Sequence, residues 1–246
     1  MSKMANHSKV KPLSRQIIAM GGGGFTMEPG NPLFDEYVLS QSPKKNPHIC
    51  FLPTASGDHS EYIQGFYDYF TTRACHPSHL ALSHPHTDDF ASFLLEQDII
   101  YVSGGHTTRM LVLWKRAGLD VILKKAWEQG ILLAGVSAGA ACWFEWALTD
   151  SIPGELTPEK CLGFLNGSFC AHYDNEGRRP TFHRLIRTRE LQNGMGVDNF
   201  AAIHIVEKQV KKVVCSRPDA AAYSVRRESE RTLEKPIMKN LFLGDS

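Results

Sequence analysis

No apolar run in this chain reaches the roughly 18 residues that a membrane-spanning helix needs, and the polar, basic opening MSKMANHSKVKPLSRQ is followed by no apolar segment of the kind a secretory signal carries. The expectation is a cytoplasmic protein with no membrane partner. Charge of one sign is also lacking: 27 Lys and Arg stand against 26 Asp and Glu, so there is no basic field to hold a nucleic acid. The six cysteines, at 50, 75, 142, 161, 170 and 215, form no C-x-x-C pair, and a chain of this length needs no disulfide staples, so reduced and mostly buried thiols are expected. Repeats, low-complexity stretches and Pro/Gly/Ser-rich linkers are missing too. That leaves one domain over residues 15–228 between an N-terminal tail (1–14) and a C-terminal tail (229–246).

What is present is an ordinary globular composition, 42% hydrophobic and 22% charged, arranged as strands alternating with helices. RQIIAM, HICFL, SHLALS, DIIYV and ILLAGV read as buried strands; PLFDEYVLSQ, EYIQGFYDYFTTRA, DDFASFLLEQ, TTRMLVLWKRAG, LDVILKKAWEQG and AGAACWFEWAL read as helices. The pattern predicts an α/β three-layer sandwich on a mostly parallel sheet, with its crevice at the carboxyl ends of the strands, after Met20, Leu52, Val102 and Val136. Beyond residue 195, AAIHIVE, KKVVC and AAYSVRR predict antiparallel strands at one sheet edge.

Within ILLAGVSAGAACWFEW, residues 135–139 fit G-x-S-x-G at a strand-to-helix junction, the setting of a nucleophile elbow. Glycines on either side allow a strained turn with close neighbours, and Ser137 would stand at a helix N-terminus able to stabilise negative charge. A structural turn with a small polar residue would give the same five letters. A serine nucleophile needs a base and a group to orient it. Of the eleven histidines most lie in polar stretches, whereas His172, in GSFCAHYDNEGRRP, falls after a short apolar run at what reads as a strand end. The glycine pair of YVSGGHTTRM also follows a strand and could offer a backbone donor across the crevice; like Gly21–Gly24 it lacks the lysine or the spacing of a nucleotide loop.

The segments VSGGHTTRML, GVSAGAACW, AHYDNEGRRPTFHRLI and GMGVDNFAAIHI, in that order, resemble peptidase family S51, the family of aspartyl dipeptidase (peptidase E) and cyanophycinase, over roughly residues 15–228. The resemblance implies a fold related to the class I glutamine amidotransferases, Ser137 as nucleophile, His172 as general base, and the N–H groups of Gly105 and Ala138 as oxyanion donors. It also implies an acidic third member, with Asp198 ranked first, Asp150 second and Glu176 third. Ala141 departs from the dipeptidase pattern, which has Asn after SAGA. The arginine-rich loop suggests Arg178 and Arg179, with Arg184, as ligands for a substrate carboxylate; a solvated helix face reads the same way.

The expected activity is hydrolysis of dipeptides or short isopeptides, an acidic N-terminal residue being a family expectation, through an acyl-serine and without metal or organic cofactor. A serine amidase or esterase acting on a non-peptide metabolite, and a small-molecule-binding homologue that has lost turnover, are the alternatives. A homodimer is the expected assembly if the chain self-associates, being the commonest closed form.

Overall fold

Residues 17–20, 49–52, 99–102 and 132–136 are buried at every position, so their strands must be covered on both faces. In the computed structural model, which describes residues 14–245, the elements run β1 (Gln16–Met20), α1 (Leu33–Ser40), β2 (His48–Leu52), α2 (Ser60–Phe70), β3 (His76–His79), α3 (Phe90–Leu95), β4 (Ile99–Val102), α4 (Thr107–Ala117), α5 (Leu119–Glu128), β5 (Leu132–Val136), α6 (Ala138–Ala141), β6 (Phe144–Thr149), β7 (Thr157–Lys160), β8 (Leu165–Cys170), α7 (Arg178–Arg187), β9 (Gly194–Val197), β10 (Ala201–Val206), β11 (Gln209–Cys215), β12 (Ala222–Glu228), β13 (Arg231–Pro236) and β14 (Asn240–Phe242). The expected tail at 1–14 lies, but for Ser14, outside the described residues.

Eight strands form the main sheet in the order β14-β11-β10-β1-β5-β4-β2-β3. From β1 to β3 all neighbours are parallel; β10 runs antiparallel to both β1 and β11. Because side chains alternate along a strand, Ile17 and Ala19 join a core with Trp114, Leu123 and Trp127 of α4 and α5. Ile18 and Met20 join another with Phe34 and Val38 of α1 and Phe66 and Phe70 of α2. This is the predicted α/β architecture, with antiparallel strands at one edge.

A second sheet, β13-β12-β9-β8-β6-β7, was not foreseen. Its inner face contributes Phe144, Ala147, Phe169, Val197 and Ala222 to the α4–α5 core. Its outer face is covered by Phe182, Leu185 and Ile186 of α7. The helix predicted over AGAACWFEWAL therefore ends after four residues, and β6 takes over at Phe144; the aromatic residues there suit a pleated surface at least as well as a helix. The third strand lies at His76–His79 rather than over SHLALS. The expected tail at 229–246 is, over its described residues 229–245, no tail, since β13 pairs with β12 and β14 with β11. Among the described residues no helix is long and apolar enough to cross a membrane.

Candidate active site

The parallel strands β1, β4 and β5 end side by side, and each continues into a small residue: Gly21, Ser103 and Ser137. Close approach explains the glycines. A Cβ on Gly135 would sit 2.3 Å from the carbonyl oxygen of Gly139, and one on Gly139 would sit 2.4 Å from that of Val102. The turn between them puts Ser137 at φ 54°, ψ −112°, a sparsely populated conformation for a residue with a Cβ. Its N–H donates to the Met20 carbonyl at 3.0 Å, which fixes the elbow to β1.

The carbonyl of Ser137 accepts from the N–H groups of both Ala140 and Ala141, so the first donors of α6, those of Ala138 and Gly139, have no acceptor within the helix. Across the crevice the β4–α4 loop is pressed against the turn at Ala55. Gly105 has φ 135°, and a Cβ there would meet the Ala55 carbonyl at 2.2 Å. Gly104 faces Ser137, its Cβ position lying 3.4 Å from that of the serine.

His172 comes from the loop after β8, at φ 49°, with its N–H on the Gly21 carbonyl at 3.2 Å. Its Nε2 lies 2.9 Å from Ser137 Oγ and its Nδ1 lies 2.6 Å from Asn199 Oδ1. Asn199 Nδ2 donates to Asp174 Oδ1 at 2.9 Å and to Asn175 Oδ1 at 2.7 Å, and the Asn199 backbone N–H donates to Asp174 Oδ1 at 2.7 Å. With the amide nitrogen committed to two acceptors, the amide oxygen faces the imidazole, so Nδ1 carries the proton and Nε2 offers its lone pair to the serine hydroxyl. Burial pushes His172 below its ordinary value; the Asn199 contact and the charges of Asp150 and Asp174 oppose that, and Arg178 adds to it. The imidazole is thus a neutral acceptor at neutral pH. Gly22 lines this contact: a Cβ there would lie 2.3 Å from Asn199 Oδ1 and 3.0 Å from His172 Nδ1.

Asn199 therefore stands where an acid was expected. Asp198 is turned the other way and accepts from the Ala221 N–H at 3.1 Å, because adjacent side chains leaving a strand point to opposite sides. Burial, with the charge of Asp174 second, raises its carboxyl to about 6. Asp150 is held by Arg178 at 2.6 Å, and Glu176 is exposed and outside the chain of contacts from Ser137. The arginines are corrected as well. Arg178 is buried, and besides Asp150 it donates to the carbonyls of Leu148 and Ala171, tying α7 to the ends of β6 and β8 beside His172. Arg179 pairs with Glu234, its guanidinium lying over the rings of Tyr173 and Tyr223. Both are thus engaged by carboxylates of the chain itself, Arg178 buried and Arg179 exposed, and Arg184 pairs with Glu190 at 3.6 Å. Asn199, Asp174 and Gly22 were given no role in the sequence, although Asp174 lies in the polar run YDNEG directly after His172, Asn199 beside Asp198, and Gly22 within the four-glycine turn.

The description of peptidase family S51 matches residues 17–213, a span that includes every residue of this arrangement. The chain belongs to peptidase family S51. Among its relatives is an uncharacterized peptidase, YgaJ, of Bacillus subtilis, 53% identical over 224 residues that cover 91% of this chain and 97% of that protein. A second, the uncharacterized peptidase Lmo0363 of Listeria monocytogenes, is 24% identical over 73% of this chain and 90% of its own length. Of solved structures, a protein assigned as a peptidase E from Listeria monocytogenes superposes with a TM-score of 0.60 at 20% identity, covering 92% of this chain and all of that one. A peptidase from an acI-B1 actinobacterium gives 0.64 at 17% identity, covering 92% and 98%. These two share the fold with the S51 chain described here.

Proposed function

We propose that this S51 protein is a serine peptidase that hydrolyses small peptides, dipeptides or isopeptides, through an acyl-serine. The observation that carries the reading is the continuous chain from Ser137 Oγ to His172 Nε2 at 2.9 Å and from His172 Nδ1 to Asn199 Oδ1 at 2.6 Å, built on a strained elbow that a purely structural turn would not need. As Ser137 Oγ attacks the peptide carbonyl, its proton passes to His172 Nε2, and Asn199 Oδ1 stabilises the imidazolium through Nδ1–H. The oxyanion forms beside the N–H groups of Ala138 and Gly105. His172 then protonates the leaving amine, removes a proton from the incoming water, and returns it to Ser137 as the acyl bond breaks.

Arg178 and Arg179 already pair with Asp150 and Glu234, which argues against their serving an acidic N-terminal residue of the substrate. The test is a dipeptide panel (Asp-X, β-Asp-X, Glu-X and neutral) incubated with the protein and with Ser137→Ala, free amino acids being quantified by mass spectrometry. Serine-dependent release that includes neutral dipeptides is expected. Release from none of them would remove the peptidase reading and favour an amidase or esterase.

A further inference from the structure

An asparagine in the orienting position has a weakness that a carboxylate lacks. The two ends of a carboxylate are both acceptors, whereas those of an amide are nearly the same shape and opposite in hydrogen-bonding sense. Rotated by half a turn, Asn199 would present Nδ2–H to His172. That favours an imidazole with its proton on Nε2, which has no lone pair for the serine hydroxyl. A site built on Ser-His-Asn must therefore hold the amide the right way round.

We propose that Asp174 is the positioning residue that does this: by accepting from both Nδ2 and the backbone N–H of Asn199, it fixes the amide with Oδ1 toward His172 and thereby sets the tautomer that the proposed serine chemistry requires. Asp174 lies two residues after His172, and both of its bonds, at 2.9 and 2.7 Å, reach across 25 residues to Asn199. They join two loops, unlike the local turn contacts that Asp usually makes with its own neighbours. Asn175 Oδ1 closes the second amide hydrogen at 2.7 Å, and on the far side Gly22 leaves the Asn199–His172 contact room that any side chain would take. The negative charge that a Ser-His-acid site places against the imidazole is thus set one residue further back, with an amide between. The other charges facing His172 are Arg178 from α7 and Asp150 from the end of β6; Asp198 faces Asp174 from the end of β9. Asp174 raises and Arg178 lowers the affinity of His172 for a proton, so loss of the Asp174 charge moves the titration of His172 to lower pH.

The proposal rests on the serine reading above, and one experiment separates the two. The rate at which a fluorophosphonate labels Ser137, located by mass spectrometry, is measured against pH for the wild-type protein, Asp174→Asn, Asn199→Asp and the double exchange Asp174→Asn/Asn199→Asp, with thermal midpoints showing that each is folded. In the wild type the rate rises with pH as His172 loses its proton. In Asp174→Asn the plateau should fall at least roughly tenfold, since about 1.4 kcal/mol of lost orientation is already a factor of ten, and its acid limb should move to lower pH. Asn199→Asp should also lose rate, because it sets two carboxylates against each other. The exchange should recover most of the wild-type rate, with Asp at 199 accepting from His172 and Asn at 174 donating to it. An Asp174→Asn protein with the wild-type rate and limb would overturn the positioning role. A lowered plateau with an unmoved limb and no recovery in the exchange would reduce Asp174 to a loop support. Failure of the folded wild type to label at Ser137 would defeat the serine reading itself, and the positioning role with it.

Discussion

Ser137 stands at φ 54°, ψ −112°, where a residue with a Cβ is strained by on the order of 1–3 kcal/mol. Ser137→Gly should therefore raise the free energy of unfolding in urea titrations, by about 1 kcal/mol once the greater freedom of glycine in the unfolded chain is subtracted, while abolishing hydrolysis; a lower value would mean that the serine is held there by its contacts. His172 gives the second residue-scale expectation. Its Nδ1 contact is with Asn199, whereas Asp198 is bonded to Ala221. Asn199→Ala should cut turnover roughly a hundredfold or more with little change in KM, as expected for a group that acts by orienting the base, and Asp198→Asn should cost far less. The reverse order, measured by steady-state kinetics on a peptide found to be hydrolysed, would return Asp198 to the site. That Ser137 and His172 follow strands was legible because each ends an apolar run, whereas a shared role for them came from the family resemblance and not from the residues alone. Which residue of Asp198-Asn199 turns toward His172 was not legible, since it depends on the direction in which the backbone leaves β9, and neighbouring positions are equally polar.

At the scale of elements, the parallel strands of the main sheet were readable from continuous apolar runs, and the helices over them from their spacing. The switch from α6 to β6 was not, because Trp143, Phe144 and Trp146 are apolar at positions that suit either period, and only pairing of β6 with β7 and β8 decides between them. The same limit hid the work done by α7. Its arginines looked free in the sequence, but their partners, Asp150 and Glu234, are distant in the chain. Glu234, on β13, receives Arg179, the Tyr173 hydroxyl at 2.6 Å and His183 Nε2 at 2.9 Å. Burial alone would raise its carboxyl, but these hydrogen bonds from Arg179, Tyr173 and His183 hold it down to about 2. A depressed carboxyl contributes stability that is present above its ordinary value of 4.5 and lost as pH falls toward 2. Glu234→Gln should therefore lower stability by roughly 2 kcal/mol at pH 7, and by less near pH 3. Equal losses at both pH values, in urea titrations, would show that shape rather than charge matters there.

For the molecule as a whole, the sequence showed one sheet where there are two, because alternating strands after residue 195 announce a face but not a partner; β10, β11 and β14 went to the main sheet and β9, β12 and β13 to the second. Global stability is where such distant packing is felt, and its pH dependence sums groups from the whole chain. Asp35 of α1 is fully buried under the glycine turn, with the Tyr101 hydroxyl donating to Oδ1 at 3.1 Å. Burial raises its carboxyl from 3.8 to about 7. Between those values the folded protein holds a proton that the unfolded chain releases, so this group lowers stability by about 1.4 kcal/mol for each pH unit gained. Asp198, raised to about 6, acts in the same direction. His204 acts oppositely: burial lowers it from 6.5 to about 4, so the unfolded chain takes up a proton as pH falls through that window and stability declines toward acid. The His204 slope offsets part of the two carboxyl slopes, so the wild-type curve alone does not isolate Asp35. Subtracting the wild-type curve from that of Asp35→Asn removes every shared contribution, and the remainder should be level below about pH 4, climb in favour of the variant at about 1.4 kcal/mol per unit, and level off above about pH 7. A remainder that stays flat across the range would mean that Asp35 is ionised in the folded protein, and that Tyr101 and its surroundings carry the charge without penalty.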